Sequence, residues 1–276
     1  MALEHRTRHF HTTAVPLLSI AVLAAACSSR ITARVEVVDG HQVELATAGA
    51  GGAATVVFES GLGEDWTHWD EVASEVARHT RIFAYSRPGT GASGPVTTAR
   101  DPRTIVEELR ALLASQGYAP PYLIVGHSMG GAYMELFAKS HPEEVAGTVL
   151  VDPRHPDFLD ACTGAGLPLD KCGIPESVLS TQSAATIAEY HAFAGASDEM
   201  RAAGPFGSSP VRVLTATDHP WSPAQESLWE SMLASLAAEA VDGRQIIVQG
   251  AGHHIQLDRP DVVVNTILAT LPPASP

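Results

Sequence analysis

The feature that most restricts the fold is an alternation of short apolar runs with segments of helical spacing. Thr55–Phe58, Arg81–Tyr85, Tyr122–Val125 and Val145–Val151 read as strands. Between them, Trp66–His79, Pro102 to about Gly117, and Met129–His141 carry apolar residues at helical intervals, with Asp101 placed as an N-cap before Pro102. Val211–Leu214, Gln225–Val241, Gln245–Val248 and Asp261–Leu271 repeat the rhythm. Strands that are apolar along their whole length are buried on both faces, which happens where helices cover both sides of a parallel sheet. Two earlier runs, Arg34–Val38 and Gln42–Thr47, are separated by Asp39-Gly40-His41, a hairpin signal. The pattern predicts an α/β architecture: a mainly parallel central sheet with helices on both faces, opened by a hairpin.

The rhythm breaks once. From about His155 to Ser209 no buried strand is evident, the composition turns to Ala, Gly, Ser and Pro, and Pro175–Phe193 has helical character. A segment of that length between core strands is too long for a bare loop. It predicts a small cap insertion, about 155–209, within a domain spanning 34–272. The 276 residues suit one such domain, and 45% hydrophobic with 17% charged residues supplies its core. The net charge of −14, without any basic run, excludes nucleic acid as a substrate. Oligomeric state leaves no signal in the sequence.

The N-terminus reads as an address. Arg6 and Arg8 precede an apolar stretch, Ala14–Ala26, too short for a stable membrane-spanning helix. It ends in Leu23-Ala24-Ala25-Ala26-Cys27, which resembles a bacterial lipoprotein signal, although Ala24 stands where Leu is usual. The resemblance implies a signal peptide over 1–26, lipid on Cys27, and export to the cell envelope; the departure at Ala24 leaves ordinary secretion open. Membrane contact is expected only through that anchor. Cys162 and Cys172 then remain as an even pair. In an oxidising compartment they can close a small loop worth about 2–3 kcal/mol, the alternative being two free thiols.

Gly126-His127-Ser128-Met129-Gly130 fits the G-x-S-x-G pattern and joins a predicted strand directly to a predicted helix. Glu59-Ser60-Gly61-Leu62-Gly63 follows the third strand, Tyr85–Ser93 the fourth, and Gly250-Ala251-Gly252-His253 the last. With these segments in this order, the chain resembles α/β-hydrolase-fold esterases and lipases over nearly all of residues 34–272. The resemblance implies Ser128 as nucleophile and His253 as its base, the G-x-G-H register favouring His253 over His254. It implies an oxyanion hole built from the backbone N–H groups of Met129 and Leu62. A serine hydroxyl is a weak nucleophile at neutral pH, so such a base is a chemical necessity.

The expected reaction is hydrolysis of a small carboxylic ester through an acyl-enzyme. Amide, lactone or thioester cleavage, or perhydrolysis, would use the same residues, and a non-catalytic binding protein on this scaffold is the reading from another class. Haloalkane dehalogenases and epoxide hydrolases resemble the pattern but carry Asp where this chain has Ser128. No Rossmann fingerprint, Walker loop or H-E-x-x-H is present, so neither cofactor nor metal is indicated. His41, His68, His79, His141 and His191 are read as surface or packing residues, Trp66 and Trp69 as packing, and the Arg87-Pro88-Gly89-Thr90-Gly91 turn as structural.

The acid that must orient the histidine is less legible. Asp152 ends the run Gly147–Val151, and Asp218 follows Val211–Thr217 one residue earlier than the usual strand–G-x-x-D spacing. Both preserve the order Ser, Asp, His. The short register after the later strand favours Asp152, with Asp218 as the alternative.

Overall fold

A computed structural model describes residues 30–273 apart from Asp39, Val96 and Thr97; the leader and Cys27 lie outside the described residues. The chain opens with β1 (Thr32–Val38), β2 (His41–Ala48) and β3 (Thr55–Glu59). A 3₁₀ turn, Trp66–Trp69, leads into α1 (Asp70–Val76), followed by β4 (Ile82–Ser86), α2 (Pro102–Ser115), β5 (Tyr122–His127), α3 (Ser128–Ser140) and β6 (Val145–Val151). Five short helices come next: α4 (Phe158–Gly164), α5 (Leu169–Cys172), α6 (Glu176–Leu179), α7 (Ala184–Ala192) and α8 (Ala196–Ala203). The chain then returns to the sheet with β7 (Val211–Ala216), α9 (Pro223–Ala238), β8 (Gly243–Val248), α10 (Ile255–Asp258) and α11 (Pro260–Thr270).

The strands form one sheet in the order β1-β2-β4-β3-β5-β6-β7-β8. β1 pairs antiparallel with β2, closing with Val38 opposite His41, and β2 pairs antiparallel with β4. All other pairs are parallel. Alternate residues of each central strand point to opposite faces. Val57, Phe83, Ile124 and Val213 pack against Leu109 of α2, Phe137 of α3 and Leu233 of α9. Val56, Phe58, Leu123, Val149 and Leu214 meet Val72 of α1 and Val263 and Ile267 of α11. This is the α/β-hydrolase fold, and it sets the C-terminal ends of β5, β6 and β7 side by side, where open parallel sheets carry their sites.

Local signals explain the helices. At α2 the Asp101 side chain accepts from Thr104 N–H, Pro102 stands at the first turn, and Ile105, Val106, Leu109, Leu112 and Leu113 form the buried stripe. The helical stretch expected over Pro175–Phe193 is broken into α6 and α7. Ser180 ends the first, and the Ser183 side chain caps the second by accepting from Thr186 N–H. Hydroxyl side chains in Ser180-Thr181-Gln182-Ser183 compete for backbone groups and favour a cap over helix interior. Cys162 of α4 and Cys172 of α5 are joined by a disulfide. Trp69 is buried in the core, as its spacing suggested.

One polar network runs through this apolar interior. Arg87, 1% exposed at the end of β4, meets Glu59 at the end of β3 and Glu189 of α7 (3.0 Å). Its two terminal nitrogens also donate to Ser60 O and Gly61 O, each at 2.6 Å. Arg100 bonds the other oxygen of Glu189 (3.1 Å), and Tyr85 donates its hydroxyl to Glu59 (2.6 Å). Removing one partner of a buried ion pair strands the other charge in a low dielectric. Glu189→Ala should therefore lower stability by about 3–5 kcal/mol in urea unfolding, whereas removal of an exposed carboxylate such as Glu71 should cost under about 1 kcal/mol.

Candidate active site

β5 ends at His127 and α3 begins at Ser128, with no loop between them. The turn forces Ser128 to φ 52°, and among the described residues only Asp152, at φ 42°, shares positive φ without being glycine. A side chain held there costs about 1–3 kcal/mol, so the surroundings must enforce it. They do so by contact. A Cβ at Gly126 would lie 2.4 Å from Gly130 O, and one at Gly130 would lie 2.4 Å from Ser60 O. No side chain fits at either place. The spacing of the two glycines around Ser128 is a steric requirement, and the same closeness sets the Ser60–Glu64 loop against the turn.

His253 enters from the loop after β8. Its Nδ1 donates to Asp152 Oδ2 (2.7 Å), which leaves Nε2 to accept from Ser128 Oγ (2.9 Å). A carboxylate accepts only, so this geometry fixes the tautomer a base needs. Burial holds the His253 imidazole below the ordinary histidine range, and the charges of His127 and His254 add to that against the pull of Asp152. The ring is thus unprotonated near neutral pH. His254 does not reach Ser128; it bonds Glu64 instead (2.9 Å).

Asp152 is completely buried and saturated with donors. Ala216 N–H (3.1 Å) and Trp229 Nε1 (2.9 Å) bond Oδ1, while His253 Nδ1 and His219 Nε2 (2.8 Å) bond Oδ2. Burial alone would raise its pKa. The imidazole hydrogen bonds, first from His219 and then from His253, outweigh burial and hold the carboxyl well below the usual range. Asp218 is placed otherwise: its N–H donates to Ala251 O (3.0 Å), and among the described residues its carboxylate makes no hydrogen bond to His253. The reason is topological. β6 lies between β5 and β7, so the residue just past β6 is adjacent to Ser128, and the turn after β7 sends His219 rather than Asp218 toward Asp152.

The Ser60–Glu64 loop is held from both sides. Arg87 grips Ser60 O and Gly61 O, and Gly61 N–H donates to Glu64 Oε2 (2.8 Å). Glu64 Oε2 also meets His127 Nδ1 (3.0 Å), and His127 Nε2 meets His253 O (3.0 Å). Those contacts, led by the His127 charge once burial is overcome, keep the Glu64 carboxyl far below its ordinary pKa. Leu62 N–H has no acceptor among the described residues, and Met129 N–H stands in the first turn of α3, where a helix offers no internal acceptor. Both N–H groups are thus left without an acceptor inside the described chain.

His219, Glu226 and Trp229 escaped the sequence reading, as did the Glu64–His127 link. One signal was present for α9. Ser222 and Gln225 form a capping box with Pro223 at the first turn, which places Glu226 and Trp229 one helical turn apart. Among the described residues three clusters have cation-ligating atoms within 4.8 Å: Asp152 with His219 and His253, Glu64 with His68 and His254, and His141 with Glu143 and Glu144. In the first, every nitrogen facing Asp152 is already committed to a hydrogen bond that holds the serine's partner.

A mostly parallel eight-stranded sheet with a strained serine at the β5–α3 turn, bonded to a histidine from the loop after β8, defines a hydrolase of the α/β type. A family model described as the alpha/beta hydrolase family matches residues 56–266, and the chain belongs to that family. Protein YqjL of Bacillus subtilis (strain 168), uncharacterized, is 28% identical over 212 residues, which is 76% of this chain and 80% of YqjL. Other curated relatives align over less than half of their own length. Cfl2 from Burkholderia cenocepacia superposes with a TM-score of 0.65 at 19% identity, covering 87% of this chain and 95% of that one. An enol-lactonase from Burkholderia xenovorans LB400 does so at 0.60 and 19%, covering 86% and 99%. At that identity the likeness is one of fold.

The site yields a direct test of the acid. An amide at 152 would turn an NH₂ group toward a ring of donors. Asp152→Asn should slow fluorophosphonate labelling of Ser128 by about three to four orders of magnitude, as wrong-tautomer substitutions do, while a folded Asp218→Asn labels at nearly the wild-type rate.

Proposed function

We propose that the protein is a serine esterase that hydrolyses small carboxylic esters through an acyl-enzyme on Ser128. The observation that carries this reading is the unbroken hydrogen-bond chain from Asp152 through His253 to Ser128 Oγ. Ser128 Oγ attacks the carbonyl carbon while His253 Nε2 takes its proton. The imidazolium that forms is stabilised by Asp152, and the tetrahedral oxygen is received by the N–H groups of Met129 and Leu62. His253 then returns the proton to the leaving alkoxide. Water, activated by the same nitrogen, releases the acid.

The cap bears on substrate size. Thr186 and Gln182, at the start of α7 and just before it, lie within 4 Å of where a Cβ on Gly63 would stand. A cap seated this close over the Leu62 turn favours short acyl groups. The amide, lactone and thioester alternatives share the acyl-enzyme, and a lactone is an ester closed on itself. Export as a lipid-anchored protein is part of the proposal, supported by the Cys27 leader and by the Cys162–Cys172 bond.

Across p-nitrophenyl esters of increasing acyl length, kcat/KM should peak at short chains. Ser128→Ala should retain the folded circular-dichroism spectrum with less than about one per cent of that activity. Residual activity above this level would point to another nucleophile. Mass spectrometry of detergent-extracted protein from an exporting bacterial host should find acylated Cys27 as the first residue; intact Met1 in the soluble fraction would refute the anchor.

A further inference from the structure

His219 is a histidine that the reaction just described does not use. Its side chain is 1% exposed, in the turn after β7. Nε2 lies 2.8 Å from Asp152 Oδ2 and Nδ1 lies 2.9 Å from Glu226 Oε1 of α9. The indole of Trp221 stacks on the ring at 4.1 Å between centroids, with the planes 8° apart. A neutral imidazole has one N–H and one lone pair, yet both nitrogens here face carboxylate oxygens. Asp152 already receives three other donors, so it has no use for a proton of its own. Both nitrogens of His219 therefore donate, and the ring is an imidazolium lying on an aromatic face, the arrangement in which a cation gains from the ring quadrupole. Burial opposes that charge, but the hydrogen bonds and charges of Asp152 and Glu226 prevail and raise its pKa above the ordinary histidine value.

We propose that His219 is a positioning residue of the triad: a cation that clamps Asp152 through the same oxygen that His253 uses and offsets part of the carboxylate's pull on His253. The proposal rests on the reading of Ser128, His253 and Asp152 as a catalytic triad. The titratable groups facing His219 are Asp152 after β6, Glu226 of α9, and His253, whose ring centre is 6.0 Å away. His253 in turn faces His127 and His254, with Glu64 between them. A positive charge 6.0 Å from His253 disfavours a second one on that ring, so the free base survives to lower pH. The chain Glu226–His219–Asp152–His253–Ser128 alternates acid and imidazole, with the His219 cation between two carboxylates. It sets the acidic edge of the working range.

Two variants separate charge from contact. His219→Gln removes the cation. Glu226→Gln, on a partly exposed helix position, lets His219 become neutral while its Nε2–H still holds Asp152. In both, the acid limb of kcat/KM for a p-nitrophenyl ester should move to higher pH, by about one unit or more in His219→Gln and less in Glu226→Gln. A purely structural role lowers the rate and leaves the limb in place. Nitrogen-15 NMR of the wild-type protein at pH 7 gives a readout without activity: both ring nitrogens of His219 should carry protons. A neutral His219, or an acid limb unmoved in both variants while Ser128 still labels stoichiometrically with fluorophosphonate, overturns the proposal alone. Failure of wild-type Ser128 to label overturns the triad reading beneath it.

Discussion

The architecture hangs on a single guanidinium. Arg87 carries five N–H donors in a rigid fork, and buried at the end of β4 it can leave none of them idle. They reach Glu59 of the sheet, the carbonyls of Ser60 and Gly61, and Glu189 of the cap. Sheet, Leu62 turn and cap are therefore registered against one planar group. A desolvated cation tolerates no halfway arrangement, because losing a carboxylate partner in the interior is far costlier than losing one at the surface. The cap accordingly has a defined seat, and the turn that offers the Leu62 N–H is fixed through the two carbonyls just before it.

Strain sits on the same scaffold. Ser128 and Asp152 close adjacent strands, both at positive φ, and Arg154 N–H donates to Ser128 O (2.8 Å), stitching the two turns together. Each unfavourable conformation is held by packing that leaves no alternative: glycines against carbonyls at the first, four donors around a buried carboxylate at the second. The proposed nucleophile and acid are thus presented by backbone geometry before any side-chain rotamer is chosen.

What could be read from the sequence follows the range over which each signal acts. The sheet was legible because β3, β5 and β6 are apolar along their length, and two-sided burial leaves that mark locally. Gly126 and Gly130 were legible because contacts at the β5–α3 turn forbid any other residue. His253 followed from its register after the last strand. The cap was legible only as an interruption, since its helices are short and the break at Ser180–Ser183 is decided by hydroxyl capping. His219 was not legible. In Thr217-Asp218-His219 every side chain is polar, and which one turns inward is settled by Asp152, 67 positions earlier, and by Glu226 and Trp221 beside it. Glu189 is hidden for the same reason: its value lies in Arg87, 102 positions away.

Asp152 is also the last residue before the chain leaves for the cap, so the carboxylate that orients His253 doubles as the insertion's stalk. In a design with the acid beyond β7, the insertion could be replaced wholesale between two intact strands. Here such an exchange would have to preserve the Asp152-Pro153-Arg154 joint, where Pro153 packs on Gly131 and Arg154 on the Ser128 carbonyl. Substitutions within the insertion leave that joint untouched, whereas a grafted insertion would have to rebuild it.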